Sequence, residues 1–454
     1  MHRYLKIAVA SLLPVALLGG CSDWLNGTGL TTNPNSPTKT GANQLFVGVT
    51  VTQTTVQTGD FARLFSMWVQ SMAGTDRQYI PLANYVFDED AFSSDWSNIY
   101  TGGGLIDERA IQAQESAVGD SIYVGIAKVM EALTMGTAAD VWGDIPYREA
   151  VSSVLQPHLD PQQQVYADIQ AQLDTAVVDL QCTGPTCAGP GPNDLWYGGD
   201  ASKWLALAHT LKARYFMHVS TMDGTAYASA ISEAQQGISS PDGDFVSYQS
   251  TNPNEWNLWY QFIVIQRSGY IGAGANLVNM LVADSAVDPR LKLYYSTNSV
   301  GKYAGAPPTG GSGDYSNLSA IRLAQDYHQP IVTYAENELI LAEAAVQTGD
   351  QATALAAFNA ERASQGVPPH VGALTLADVM NEKYIADFEE IEVWNDWKRT
   401  CLPTLVAANA GGIPGRVLYP LSAERNSNPN IPTPDQQPVR NWNQPNACPT
   451  NLPG

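Results

Sequence analysis

The stretch that decides the fold is residues 332–364, which read VTYAENELILAEAAVQTGDQATALAAFNAERAS. Two segments rich in Ala, Leu and Glu flank Thr348-Gly349-Asp350, where the Gly is a helix stop and the Asp is a helix start. A connection this short makes the two helices antiparallel neighbours. The stretch therefore predicts a helix hairpin over 332–347 and 351–364.

Helical periodicity extends this prediction over much of the chain. Val165, Ile169, Leu173 and Val177 follow at four-residue spacing after Asp160, which predicts an amphipathic helix capped by that aspartate. Further helices are predicted at 42–57, 61–73, 96–116, 121–140, 201–221 and about 375–392. The pattern is typical of a mostly α protein built from helix hairpins.

Residues 238–330 have a different character. Gly, Ser, Asn, Pro, Tyr and Trp dominate them, charges are few, and no 3.6-residue period persists. Long irregular segments inside compact proteins are usually functional. We therefore predict one domain, residues 41–454, in which helices carry a long irregular insertion.

The start of the chain has the pattern of a bacterial lipoprotein signal. Basic residues Arg3 and Lys6, an apolar segment and two glycines precede Cys21. We expect residues 1–20 to be removed, Cys21 to carry acyl chains such as palmitate, and residues 21–40 to form a flexible tether. An ordinary cleaved signal followed by a chance cysteine is the alternative.

Composition narrows the class of partner. With 44% hydrophobic and 15% charged residues, the chain suits a globular protein with a sizeable core. Its formal net charge is −21, and removal of Arg3 and Lys6 with the signal gives −23. Because such a surface repels phosphate backbones and anionic head groups, we expect no nucleic-acid partner and membrane attachment through the lipid alone.

The chain has four cysteines besides Cys21, namely Cys182, Cys187, Cys401 and Cys448. Four cysteines allow three pairings. The tight Thr-Gly-Pro-Thr spacer favours Cys182–Cys187, which leaves Cys401–Cys448 as the second pair. A metal site is the alternative, but the sequence has no CxxC pair and no His close to these thiols. We therefore predict two disulfides.

Aromatic usage indicates the chemistry of binding. Trp (11) and Tyr (21) outnumber Phe (10), so most rings carry a polar atom and suit a wet surface. The predicted ligand-binding residues form two sequence clusters, Tyr248, Trp256, Trp259, Tyr260 and Tyr270 in the insertion and Arg77, Tyr79 and Tyr85 in an earlier loop. Rings beside Asn and Gln match the C–H faces and hydroxyl rims of sugars. The alternative is that Trp256, Trp259 and Tyr260 dock the insertion on the helices.

Sequence motifs give no support to catalysis. The chain contains no HExxH, GxSxG or GxxxxGK[ST] pattern, and its six histidines are scattered. The acidic groups Asp88-Glu89-Asp90 and Glu389-Glu390 offer carboxylates to a glycosidase, but solvated surface residues are the usual explanation. We predict a protein that is not an enzyme, with no cofactor and no metal.

Several segments resemble the SusD/RagB family of nutrient-binding outer-membrane lipoproteins. They are AADVWGDIPY at 138–147, the Asp95-Trp96 to Ile99-Tyr100 helix, Tyr197-Gly198-Gly199-Asp200, the hairpin quoted above with Asn359 and Arg362, and WNDWKR at 394–399. These blocks follow the family order from about residue 40 to 431. The block at 394–399 resembles the second-type branch of the family most.

The resemblance implies tetratricopeptide-like helix pairs that carry an irregular ligand-binding face. It implies a lipid-anchored protein on the cell-surface side of the outer membrane, which binds an oligomeric nutrient. Its expected partner is a TonB-dependent SusC-type β-barrel transporter, over which it acts as a lid. The ring clusters favour an oligosaccharide ligand, with an oligopeptide as the alternative. A second hypothesis is a helical-repeat scaffold that binds no nutrient.

Overall fold

The computed structural model describes residues 40–284 and 286–448. The chain divides into two compact units, residues 1–44 and 45–454, and of the first only residues 40–44 are described. The predicted signal, Cys21 and nearly all of the predicted tether therefore lie outside the described residues. In the part of the chain that is described, no helix has both the length and the apolar character needed to cross a membrane.

Helices dominate the described chain, which confirms the predicted fold class. In chain order they are α1 (Ala42–Thr58), α2 (Asp60–Trp68), α3 (Tyr79–Ala83), α4 (Ser93–Tyr100), α5 (Leu105–Val118), α6 (Ser121–Trp142), α7 (Gln162–Asp179), α8 (Ala201–Val219), α9 (Ala226–Ala234), α10 (Leu258–Tyr260), α11 (Ala275–Ala283), α12 (Arg290–Tyr294), α13 (Tyr334–Thr348), α14 (Gln351–Ser364), α15 (Leu376–Ala386) and α16 (Glu392–Thr400). π-Helical segments lie at Gln261–Gln266 and Leu421–Arg425, and short 3-10 turns lie at Gly191–Asn193, Pro241–Gly243 and Pro253–Glu255.

The strands of the described residues form two short antiparallel pairs. β1 (Met72–Gly74) pairs with β3 (Ile271–Ala273). β2 (Phe245–Val246) pairs with β4 (Pro330–Val332), with an irregularity in the register. The first pair ties the insertion to the loop after α2, and the second ties the start of the insertion to its end.

The α13–α14 hairpin confirms the prediction from residues 332–364. Thr333 Oγ1 accepts a hydrogen bond from Glu336 N at 3.1 Å and caps α13. Gly349 ends α13 at φ +84°, a conformation that glycine adopts without steric cost. Asp350 Oδ1 then accepts from Thr353 N at 3.1 Å and caps α14. The hairpin packs through buried apolar side chains, which are Leu339, Ala342, Ala345, Ala354, Ala357 and Phe358.

Two predicted helices are shorter than expected. The segment predicted as one helix at 96–116 forms α4 and α5, because Gly103 between them adopts φ +84° against α1. A Cβ on Gly103 would lie 2.0 Å from a side-chain oxygen of α1. The helix predicted at 61–73 ends at Trp68, because the chain turns at Gln70 with φ +66° and continues as β1.

The predicted cap of α7 is wrong. α7 begins at Gln162, whose N donates to Asp144 Oδ1 at 2.8 Å. Asp160 instead accepts with Oδ2 from Tyr147 N at 3.0 Å and from Arg148 N at 2.8 Å. The capping carboxylate therefore comes from the loop after α6, a contact that the local pattern around the helix start does not reveal.

The segment between α15 and α16 corrects two further predictions. The helix predicted at about 375–392 ends at Ala386, and Glu389 adopts φ +74°. Glu389 and Glu390, interpreted as solvated carboxylates, are only 1% and 3% exposed. Half-buried Arg322 of the insertion forms an ion pair with buried Glu389, so a charge pair fastens the insertion to the helices.

Buried charges also join the helices of the C-terminal half. Arg399 of α16 forms ion pairs with Glu343 of α13 and, at 2.5 Å, with Asp396. Lys383 of α15 lies 2.5 Å from Asp396 and 3.9 Å from Glu343. All four residues are buried. Two cations thus neutralise two carboxylates inside the protein, and loss of either cation would leave uncompensated charge.

The structure contains the disulfides Cys182–Cys187 and Cys401–Cys448. The second joins the end of α16 to the C-terminal segment across a sequence separation of 47 residues. In that segment, Asn441 Nδ2 donates to Asp140 O at 2.7 Å near the end of α6. The disulfide and this bond hold an irregular segment on the helices, and closing a loop of such length contributes about 4 kcal/mol in the chain-entropy account.

Candidate functional site

One buried side chain organises the middle of the insertion. Asn257, at the start of α10, is 0% exposed. Its N donates to Gln325 O at 2.7 Å and its Nδ2 to Tyr327 O at 3.0 Å. Its Oδ1 accepts from Trp259 N at 2.8 Å and Tyr260 N at 3.0 Å. A single residue therefore caps α10 and ties it to the end of the insertion.

Trp256, just before α10, and Trp259, within α10, have different environments. Trp259 is 1% exposed, and its Nε1 donates to Thr58 O at 2.9 Å. Trp256 is half-buried; its Nε1 donates to Thr251 O at 3.1 Å, and its ring meets Tyr260 edge-on at 5.3 Å. Trp259 thus docks the insertion on α1, as the alternative interpretation expects, and we leave it out of the proposed site.

A second aromatic group forms where the loop after β1 meets the insertion. The Tyr79 ring lies 5.0 Å from Phe262 and 6.1 Å from Tyr270. Phe262 belongs to the π-helical segment that continues α10, so the segment that carries the first pair of rings runs directly into this group. Half-buried rings from both predicted sequence clusters therefore share one surface. We call this surface the aromatic face and define it by Tyr79, Trp256, Tyr260 and Tyr270.

The two loops of the aromatic face are tied together at Tyr270. Tyr270 N donates to Arg267 O at 3.1 Å in a turn where Gly269 adopts φ +79°. Thr75 N donates to Tyr270 O at 2.8 Å, and Thr75 Oγ1 donates to Gly269 O at 2.8 Å. Arg77 follows on the same loop at φ +45°, a strained conformation for a residue with a side chain. Strain of this kind is common at binding sites.

Two hollows flank the aromatic face. One of about 330 Å³ is lined by Thr75, Asp76, Ser268, Gly272, Ser312 and Tyr315. The other, of about 260 Å³, is lined by Asp60, Arg63, Asp95, Asn98, Gln261 and Gln266. Sequence reasoning missed both hollows, because their walls come from segments far apart in the chain. Their hydroxyl, amide and charged groups suit a polar ligand.

Asp95 gives the second hollow its unusual electrostatics. Burial raises the pKa of Asp95 to about 7, and the negative charge of Asp60 adds to the shift. Asp60 itself forms an ion pair with Arg63. A carboxyl with a raised pKa near a second carboxyl group is the pairing that glycosidases use. Asp95 is, however, only 3% exposed, so its carboxyl is enclosed and the hollow is better suited to binding than to hydrolysis.

Two other predicted site residues take different positions. Tyr85 adopts φ +66°, and its Oη accepts from Ala408 N at 3.1 Å, so it contacts the C-terminal segment. The Tyr248 ring lies 6.1 Å from His328 near the end of the insertion. Among the described residues, neither ring is paired with a ring of the aromatic face. Their role in binding stays a prediction.

One buried group has the residue types of a metal site. Asp140, His218 and Glu392 place ligand atoms within 4.8 Å of one another. His218 Nδ1 lies 2.9 Å from Asp140 Oδ1, and Nε2 lies 2.7 Å from Glu392 Oε1. Burial alone would lower the pKa of His218, but attraction to both carboxylates outweighs it and raises the pKa to about 9. A protonated ring offers no lone pair to a metal, so the group acts as a buried ion-pair bridge.

Residues 34–360 match the SusD-like_2 family model, described as starch-binding associating with outer membrane. A comparison with curated proteins found no match.

Solved structures share the fold over nearly all of their length. The chain is similar to a SusD/RagB family protein from Bacteroides thetaiotaomicron, with a TM-score of 0.75 and 22% identity, covering 90% of this chain and 100% of that one. A chitin-binding protein has a TM-score of 0.74 and 23% identity, covering 89% and 100%. A chitin-binding SusD homologue from Flavobacterium johnsoniae has a TM-score of 0.72 and 18% identity, covering 89% and 98%. Because the family model spans most of its length, the chain belongs to the SusD-like family.

Proposed function

We propose that this protein captures an oligomeric nutrient, a glycan, on the aromatic face and delivers it to a SusC-type transporter. The observation that carries the proposal is the meeting of the half-buried Tyr79 and Tyr270 rings from two distant sequence segments, beside the insertion segment that also carries the half-buried Trp256–Tyr260 pair. The hollows on either side add hydroxyl, amide and carboxylate groups. Two of the similar structures are named as chitin-binding, which supports a saccharide ligand.

The rings of the aromatic face are held before any ligand arrives. Tyr260 Oη accepts from Gln325 Nε2 at 3.0 Å, and the Trp256 indole N–H is bonded to Thr251 O. Because their edges are fixed, the rings lose little conformational freedom when a sugar stacks on them. Binding of this kind needs stacking and hydrogen bonds and no covalent step, so we propose a binding protein and not an enzyme.

Membrane attachment is the second part of the proposal. Acyl chains on Cys21 hold the protein at the outer membrane, and residues 21–40 let the body move over the mouth of a TonB-dependent β-barrel as its lid. The family description, which refers to association with the outer membrane, supports this location. We place the body on the cell-surface side, where oligomeric nutrients are met.

The ligand is tested by screening the mature protein on an array of immobilised oligosaccharides and measuring the hits by calorimetry. We expect Trp256→Ala and Tyr79→Ala each to weaken the best hit by roughly five-fold, as the loss of one stacked ring does. Tyr227→Ala, a half-buried ring on α9, is the matched control and should leave affinity unchanged. If no saccharide binds, or if the control variant weakens binding as much, the proposal fails.

The partner is tested by gentle detergent extraction of native membranes, capture of this chain and mass spectrometry. A large β-barrel recovered in near-equal amount is the expected result. Recovery of several envelope proteins without a barrel, together with no saccharide binding, would favour the scaffold hypothesis instead. That hypothesis has its own structural feature, an open groove of about 610 Å³ along α5–α7 that includes Arg109, Glu131 and Tyr147.

A further inference from the structure

Cations are scarce in this chain, yet two of them meet at one ring of the aromatic face. The chain has 23 Lys and Arg against 44 Asp and Glu. The guanidinium carbons of Arg77 and Arg267 lie 5.6 and 5.7 Å from the centre of the Tyr270 ring. They come from two loops, which Thr75 joins through its bonds to Tyr270 O and Gly269 O. The fold thus assembles a doubly cationic ring site from separate segments.

These cations are available to a ligand. Arg267 is exposed and forms no ion pair with any described residue; its Nη1 makes only a 3.4 Å contact with Gln266 O. Arg77 lies 3.6 Å from Asp76, and the two side chains are 69% and 48% exposed. Such an exposed pair contributes little and is easily exchanged for another anion. A third arginine, Arg63, lies over Phe262 at 4.6 Å but is already paired with Asp60.

A guanidinium beside an aromatic ring matches a specific kind of sugar. Its planar fork binds carboxylate or sulfate oxygens with two parallel hydrogen bonds. A neighbouring ring of the aromatic face stacks on the apolar face of the same sugar, so one ligand residue satisfies both groups. A neutral sugar offers only hydroxyl oxygens, which accept weaker hydrogen bonds that are not reinforced by an anionic charge. The positive site also offsets the repulsion that a protein of charge −21 exerts on an anion.

We propose that the aromatic face takes an acidic saccharide, whose sugars carry carboxylate or sulfate groups. Arg267 and Arg77, which lie over the Tyr270 ring, bind its anionic group, and a neighbouring ring of the aromatic face stacks on the sugar. This inference rests on the proposed function and deepens it by naming the ligand class. Carboxylate and sulfate present the same chemistry to a guanidinium, so the test includes one saccharide of each kind.

The test is calorimetry on the mature protein with tetragalacturonate, a sulfated carrageenan tetrasaccharide and neutral chitotetraose. We expect at least one acidic saccharide to bind about ten-fold more tightly than chitotetraose at low salt, and the difference to shrink at high salt. Arg267→Gln should weaken the acidic ligand by roughly five-fold and leave chitotetraose unchanged. The acid that binds more tightly identifies the anionic group.

Lys203→Gln is the matched control, because Lys203 Nζ lies 5.7 Å from the Tyr197 ring on a different part of the surface. It should leave both affinities unchanged, and thermal unfolding of each variant checks that the fold is intact. If chitotetraose binds as tightly as the acids, or Arg267→Gln has no effect, the inference is overturned while the proposed function stands. If no saccharide binds, both fail.

Discussion

The C-terminal helices α13–α16 and the insertion at 238–330 are held together in different ways. Between the helices, charged side chains neutralise one another, as Arg399 does with Glu343 and Asp396. Inside the insertion, polar side chains hold backbone groups, as Asn257 and Thr75 do. The second arrangement fixes the backbone of the insertion mainly through side chains other than the surface rings. Ring identity on the aromatic face can therefore change without disturbing the fold.

The largest effect is expected from Arg399→Met. It leaves the buried carboxylates Glu343 and Asp396 with Lys383 as their remaining cation, which should lower the free energy of unfolding by about 3–5 kcal/mol. Urea-induced unfolding followed by circular dichroism measures the change. Arg148→Met is the matched control, because Arg148 pairs with Asp168 at 2.7 Å on the surface, and should cost less than about 1 kcal/mol. Equal losses would contradict the role given to buried charge.

A second comparison separates two rings of the insertion that are three positions apart. Trp259→Ala opens a cavity beside α1 and should cost about 3–5 kcal/mol, whereas Trp256→Ala should cost about 1 kcal/mol or less because its ring is half-buried. Thermal and urea unfolding of both variants give the difference. Similar losses in the two variants would mean that Trp256 also docks the insertion.

The buried His218 bridge predicts a pH effect. Its pKa of about 9 in the folded protein exceeds the value of about 6.5 in an unfolded chain. The stability it contributes, about 3 kcal/mol, is therefore fully present below pH 6.5 and is lost as the pH rises through 9. Lys398 acts in the opposite sense, because burial lowers its pKa to about 7. The quantity to measure is thus the difference in unfolding free energy between wild type and His218→Gln.

That difference should be largest below pH 6.5 and should shrink as the pH rises towards 9, while Lys398 is present in both proteins. A difference that stays constant over this range would show that His218 is neutral in the folded protein. The bridge would then be an ordinary hydrogen-bonded group.

The smallest effect is expected at the turn that carries Tyr270. Gly269 adopts φ +79°, and a Cβ added there would have no atom within 4 Å. Gly269→Ala should therefore lower the free energy of unfolding only by the conformational penalty of about 1 kcal/mol. Gly224→Ala, also in open space but without a positive φ, should be neutral or slightly stabilising. Differential scanning calorimetry resolves the two. If both variants behave alike, the backbone of the turn relaxes freely and does not position the ring.

Local sequence was enough for the helix hairpin and insufficient for the helix ends elsewhere. Thr333, Gly349 and Asp350 carry their own capping signals, so α13 and α14 could be located from residues 332–364 alone. The cap of α7 comes from Asp144, and the break at Gly103 comes from the closeness of α1. These ends depend on neighbours that only the folded chain supplies.

The candidate site shows the same division. Composition predicts the Tyr and Trp rings of the insertion and, separately, a smaller cluster with Arg77 and Tyr79 on an earlier loop. That the two lie side by side is visible only in the structure. Sequence could not separate Trp256 from Trp259, because the difference is a bond to Thr58 O, some 200 residues earlier in the chain. Nor could it place Arg77 and Arg267 at one ring, since that meeting depends on Thr75 joining two loops.

Asn257 also determines how the insertion should open. Its side chain and its backbone N–H make four hydrogen bonds that reach both α10 and the segment at 325–327. We therefore expect the backbone amides of Trp259 and Tyr260 to exchange hydrogen together with those of the segment at 325–327, as one cooperative unit. An irregular surface would then show the protection of a folded element, and its loops would not fray one by one.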